Sequence, residues 1–351
     1  MKKMLNHIFV DGFSGMASGL FATLIMGIIL EQIGLLFSGN IGAFLVSFGK
    51  IASVMTGAGI GVGVAAKYGA SPLVTVSAAT AGMVGAHAGN ILSENVFSGT
   101  SVVLANSGEP LGAFIAAFVA IEVGQLISGK TKLDIILTPA VGILTGSTVG
   151  IFISPYISRL TSWLASLINW GTQQHPFFMG MVVSVLMGIA LTLPIGSAAI
   201  GIALNLSGLA AGAATVGCCC NMVGFAVASF KENGVGGFVA QAFGTSMLQM
   251  PNIMRHPLIW LPSIIASAVL GPLSTVVFKM TNTAAGSGMG SAGLIGQITT
   301  FQDMCLTRDP IVVIILIILM YFVFPGLIAG FINRIMRKEE LIKDGDMKLD
   351  I

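Results

Sequence analysis

The chain has 351 residues, of which 55% are hydrophobic and only 9% charged, with a formal net charge of +2. Soluble domains carry roughly 25% charged residues, so a soluble enzyme, a nucleic-acid binder and a disordered scaffold are excluded. A mean hydropathy of +0.94 and 46 glycines point to a polytopic membrane protein whose helices approach closely through small residues.

At about 20 residues per crossing, apolar segments follow in chain order near 12–36, 41–66, 72–92, 110–128, 133–153, 176–193, 200–228, 258–280 and 310–333. The expected fold is an all-α polytopic membrane protein of about ten transmembrane helices, some re-entrant or broken. Lys2 and Lys3 precede the first segment, and Arg334, Arg337, Lys338, Lys343 and Lys348 follow the last. The positive-inside rule then puts both termini in the cytoplasm and asks for an even number of crossings. The first segment lacks a clean small-residue cleavage site and reads as a retained helix.

Two stretches do not read as plain spans. Residues 194–222 are apolar but interrupted by glycine, and residues 282–302 are short, polar and glycine-rich. Irregular backbone at membrane depth needs protein or enclosed water to satisfy it, so both are expected as re-entrant or broken helices. For 282–302 a loop outside the bilayer is the competing reading. Residues 155–175 look like an amphipathic interfacial helix, with Leu160, Trp163, Leu164, Leu167 and Ile168 at helical spacing. That helix would join an N-terminal membrane half (1–154) to a C-terminal half (176–335), leaving a cytoplasmic tail (336–351). Gly19–Leu30 and Gly180–Leu191 share five of twelve identities, and Pro110-Leu111 recurs as Pro272-Leu273. These echoes suggest two inverted repeats, an architecture that sets a solute site at the midplane.

Polar residues in such a chain are candidates for function. His87, Asn90, Glu94, Asn106 and Glu109 lie in one polar run between apolar segments. Histidine, carboxylate and amides together suit a neutral polyol: the carboxylate accepts from hydroxyls, the amides donate and accept, and the imidazole can pass a proton. An ordinary extracytoplasmic loop has the same composition. Asn205 and Asn221 in the broken region, Gln249 and Asn252 after it, and Gln297 in the second irregular stretch complete the expected solute-binding set. Glu122, inside an apolar segment, and Glu94 are candidates to carry a coupling ion. Cys218, Cys219 and Cys220 are consecutive and apolar-flanked, and read as small buried helix residues. No metal-ligand or catalytic constellation stands out, so neither a cofactor nor a metal is expected, and the chain by itself is not read as an enzyme.

The run 192–253 (TLPIGSAAIGIALNLSGLAAGAATVGCCCNMVGFAVASFKENGVGGFVAQAFGTSMLQMPNI), with SGKTKLDIILTPAVGILTG at 128–146, GSGMGSAGLIGQ and the terminal KDGDMKLD, resembles the bacterial PfoR-type membrane proteins. That group is described as toxin regulators and placed with the enzyme IIC components of the phosphoenolpyruvate-dependent sugar phosphotransferase system. The resemblance implies a sugar-translocating subunit, usually a homodimer in the lipid bilayer, served by cytoplasmic phosphoryl-carrier subunits. Gly108-Glu109-Pro110 only rearranges the Gly-x-Pro-Glu loop common in sugar permeases of that system. An ion-coupled secondary transporter and a membrane-bound regulatory sensor are the alternative readings.

Overall fold

The computed structural model describes residues 7–98, 101–104 and 107–349. Its elements are almost all helices, with one two-residue hairpin pairing Phe97–Ser98 and Ser101–Val102. The chain divides into two compact units, residues 1–160 and 161–350. Among the described residues, six helices are long and apolar enough to cross a membrane, or seven if one bent pair counts as a span. This is fewer than the expected ten. The segments at 72–92 and 176–193 yield helices of 15 and 17 residues, Pro72–Ala86 and Pro176–Thr192. The segment at 200–228 begins only at Gly208 as a long helix.

The first unit contains α1 (Val10–Leu35), α2 (Asn40–Val54), α3 (Thr56–Lys67), α4 (Pro72–Ala86) and α5 (Pro110–Ile127). Helices α2 and α3 meet at a 59° bend. The glycines of α3 explain why these helices assemble without a hydrophobic drive. Gly59 and Gly63, one turn apart, press on Gly19 and Gly15 of α1. Gly57 and Gly61 press on Gly82 and Ala78 of α4. A methyl group at any of these glycines would strike partner backbone, so α3 carries two small-residue faces that dock two neighbours at once. Lys50, a charge within the second apolar segment, is exposed and forms no ion pair with Glu31 of α1.

Helix α6 (Asp134–Thr172) runs 39 residues without a break and includes Pro139 and Pro155. The stretch expected as a separate interfacial helix is therefore the continuation of α6. Its apolar face is narrower than the spacing suggested: Leu164 and Ile168 are buried, while Leu160, Trp163 and Trp170 are exposed.

The second unit contains α7 (Pro176–Thr192), α8 (Ser197–Ala203), α9 (Gly208–Ala228), α10 (Phe230–Val239), α11 (Met250–Arg255), α12 (Pro257–Val277), α13 (Ile295–Met304) and α14 (Pro310–Lys338). Helix α9 is the core of this unit and packs against α7, α12 and α14. Its sequence, GLAAGAATVGCCCNMVGFAVA, supplies small side chains on every side, and nearly every residue is buried. The three cysteines lie there as free thiols. Residues 208–222 are thus an unbroken helix, which corrects the expectation of broken backbone through 194–222. The interruption is confined to 193–196 and 204–207.

The second irregular stretch is interrupted as expected. A four-residue helix, Ala284–Ser287, is followed by left-handed backbone at Gly290, Gly293 and Leu294 before α13 begins. The two interruptions meet each other. Ser197 Oγ donates to the Gly288 carbonyl at 2.7 Å, Asn282 N donates to the Gly208 carbonyl at 3.2 Å, and Gly290 lies against Cys218 of α9. Their free backbone groups are thereby satisfied inside protein, as membrane depth requires. The two Pro-Leu pairs that suggested a repeat occupy unlike positions. Pro110 opens α5, where its missing N–H costs nothing, whereas Pro272 lies inside α12, just before a π-helical turn at Leu273–Val277.

Candidate functional site: an unpaired histidine and carboxylate in the first unit

Helix α4 ends at Ala86 because His87 leaves helical geometry (φ −104°, ψ 11°). A one-turn helix, Ala88–Leu92, follows. The chain returns to this junction before α5. Gly108 (φ +72°) packs on Ala86, and a Cβ there would lie 2.7 Å from both the Ala86 Cβ and carbonyl oxygen. Only glycine suits both the left-handed backbone and the close approach. Glu109 N then donates to the Ala86 carbonyl at 2.7 Å, and Pro110 starts α5. The Gly-Glu-Pro triplet is therefore a device that pins Glu109 to the residue preceding His87.

His87 is 2% exposed and, among the described residues, neither ring nitrogen has a hydrogen-bond partner; the Glu109 carboxylate accepts from the Leu111 backbone, but its Oε1 is buried and unpaired. Leaving such atoms unpaired costs roughly 1–3 kcal/mol each, so each is a place where a ligand or an ordered water can bind. Burial pushes the Glu109 carboxyl, which lies outside the span Pro110–Ile127, up to about 7. Ser154 of α6 borders the junction, its Oγ 3.5 Å from where a Cβ on Gly89 would stand. Ser154 was not among the sequence candidates. The available signal was its place in the row Gly142, Gly146, Gly150, Ser154, one small residue every fourth position on a face that packs closely. Asn90 lies half-buried in the one-turn helix next to His87. Glu94 is exposed with φ +59°, in the turn beyond. Asn106 lies outside the described residues. Glu122 sits near the far end of α5, roughly 20 Å along the helix from Glu109. There it neighbours Tyr68, whose hydroxyl is pushed up by burial, by Glu122 and by Asp11.

The second-unit candidates are differently placed. Asn221 is fully engaged: its Nδ2 donates to the Gly217 carbonyl (3.1 Å) and Ser267 Oγ (3.5 Å), and its Oδ1 accepts from Trp260 Nε1 (2.8 Å) and Thr192 Oγ1 (3.2 Å). Gln249 Nε2 donates to Gln241 Oε1 (2.8 Å) and to the carbonyl of Met347 (3.0 Å), and Gln249 Oε1 accepts from Asn252 Nδ2 (2.9 Å). Asn252 Nδ2 also donates to the Lys348 carbonyl at 2.8 Å. Asn205 is exposed in the turn between α8 and α9, with φ +46°. Gln297 keeps one buried unpaired atom, Oε1, while its Nε2 lies 3.6 Å from Cys219 Sγ. Among the described residues, no group of three His, Cys, Asp or Glu side chains could hold a metal ion.

The fold thus brings His87, Glu109 and Asn90 to one junction, and it spends Asn221, Gln249 and Asn252 on internal bonds. No curated protein matches the chain. A family model described as "Phosphotransferase system, EIIC" matches residues 10–349, nearly the whole length. The chain belongs to this EIIC family, the membrane transport component of the phosphotransferase system.

Proposed function

We propose that this EIIC protein carries a small polyhydroxylated solute, a sugar or sugar derivative, across the bacterial plasma membrane and binds it at the His87–Glu109 junction. The observation that carries this reading is the pair of unpaired polar groups at one helix junction. His87 can donate to one hydroxyl and accept from another, and Glu109 can accept from a hydroxyl or, when protonated, donate to one. Asn90, three residues after His87, and Ser154, which borders Gly89, are candidates to add to that set. A sugar would supply the missing partners and regain the free energy that the empty site forgoes.

Phosphorylation would come from separate cytoplasmic carrier subunits, and the protein would act as a homodimer with both termini in the cytoplasm. The family supports the first of these, and the second rests on the PfoR-type resemblance. A second reading rests on Glu109 itself. A carboxyl that titrates near neutral pH suits a proton-coupled carrier, with Glu109 as the coupling group in preference to Glu94 or Glu122. The PfoR-type resemblance adds a regulatory role to be tested alongside transport.

Uptake into proteoliposomes of a panel of labelled hexoses and hexitols separates these. Phosphotransferase action predicts uptake only with carrier subunits and a phosphoryl donor. Uptake driven by a proton gradient alone supports the carrier reading. Tight binding without uptake under either condition supports a sensor.

A further inference from the structure

The last residues of the described chain do not trail away from the fold. After α14 the chain turns at Glu340 (φ +57°) and Gly345 (φ +99°) and lies along the second unit. Ile342 and Met347 are buried, at 1% and 0% exposure, in a cluster with Phe225, Ile253 and Met336. Between these anchors, the strap is held mainly through its backbone. Glu232 Oε1 accepts from Gly345 N (3.2 Å) and Glu232 Oε2 from Met347 N (3.0 Å). Asn233 bonds both ways, donating to the Met347 carbonyl (2.9 Å) and accepting from Leu349 N (2.8 Å). Gln249 and Asn252 donate to the carbonyls of Met347 and Lys348.

The strap bends on itself, with Asp346 N donating to the Lys343 carbonyl and Lys348 N to the Gly345 carbonyl, each at 3.2 Å. Side chains that read both amides and carbonyls of such a segment, with buried seats for Ile342 and Met347, are the elements of a peptide-binding cleft. Two of the charged contacts lie at its rim, where the solvent weakens them. Lys231 and Asp344 pair at 2.9 Å with 77% and 69% of their side chains exposed, and His256 lies 3.5 Å from Asp346. Arg337 joins the cleft to the strap by bonding Glu232 (2.7 Å) and Asp344 (2.8 Å).

We infer that Glu232, Asn233, Gln249 and Asn252 form a main-chain-reading cleft whose ligand is the protein's own strap, residues 341–349, held as a displaceable latch. Release of the strap would free the Gln249 and Asn252 amide donors and uncover the buried chain Ser229–Gln241–Gln249 beneath them. Those donors then seek new acceptors, so the strap sets whether α10 and α11 are tied together. The amides expected from the sequence to bind solute bind peptide carbonyls instead.

The test uses the full chain with a protease site inserted at the exposed Glu339–Glu340 turn, folded first and then cleaved. A fluorescein-labelled peptide of residues 341–349 is the probe, read by anisotropy. The expected result is saturable uptake by the cleaved protein, displacement by unlabelled peptide, and no uptake by the intact protein. A peptide with Met347→Gly should bind about tenfold or more weakly, because it lacks the buried anchor. Because that change is in the peptide alone, it leaves the fold of the protein untouched. The inference is overturned if the severed strap stays bound without exchange over a day. It is equally overturned if cleaved and intact protein take up the peptide alike, or if the Met347→Gly peptide binds as well as the original.

Discussion

Asn221 in the second unit has four hydrogen-bonding partners, whereas His87 in the first has none among the described residues. Both residues are buried, and sequence reasoning gave both the same role. The second unit is cemented by hydroxyls and amides that close on one another around α9: Thr192 with Ser246 at 2.8 Å, Ser184 with the Ser267 carbonyl at 2.7 Å, and Ser229 with Gln241 at 3.0 Å. The first unit is held by glycine faces on α1, α3 and α4, and the second shares that device, with Gly180 on Gly271 and Gly217 on Ser184. The difference lies in the polar network that the second unit adds around α9. A polar residue in a membrane protein is thus a site candidate only once its internal bonds are counted, and the count differs between the two units.

That contrast can be broken by mutation. The largest effect is expected from Asn221→Ala, which strips Trp260 Nε1 and Thr192 Oγ1 of an acceptor and should cost about 3 kcal/mol of stability, read as a lowered thermal midpoint in detergent. Next, Gly59→Ala drives a methyl into the Thr23 side chain and the Gly19 carbonyl of α1 and should cost about 1–3 kcal/mol. A fully tolerated alanine there would mean that the glycine face does not hold the unit. Smaller and opposite in sign, His87→Leu removes an unpaired buried polar group and should leave stability unchanged or raise it by about 1 kcal/mol. A loss as large as that of Asn221→Ala would mark His87 as structural. The smallest effect concerns pH. The Glu109 carboxyl is raised from 4.5 to about 7 in the folded protein, so the fold binds its proton more tightly than the unfolded chain does. Stability should therefore be greatest below about 4.5 and decline as the pH rises toward 7. Glu109→Gln should flatten that decline.

Much of the fold is legible in the sequence. Low charge and high hydropathy give the class, and the glycines at 286–296 mark a real interruption. The same signal misleads at 208–222, where glycine and cysteine serve a helix packed on all sides, because glycine permits both close packing and irregular backbone. The amphipathic pattern at 155–172 is real, yet nothing in it reveals that α6 passes through Pro155 without stopping. At the site, His87 and Glu109 are legible as residue types. Their meeting is not, because it depends on Gly108 seating the loop on Ala86 across some twenty intervening residues. Gln249 and Asn252 mislead because their acceptors are carbonyls of residues nearly a hundred positions away, and no local pattern encodes them.

The central claim is that the polar groups left unpaired in the first unit bind the solute. Equilibrium binding of the labelled hexose and hexitol panel to the purified protein tests it most directly, comparing wild type with His87→Gln, Glu109→Gln and Asn205→Ala. The account predicts that at least one member binds wild type and Asn205→Ala alike, while each junction variant weakens it by about tenfold or more. Unchanged affinity in both junction variants, with their thermal midpoints intact, would contradict it.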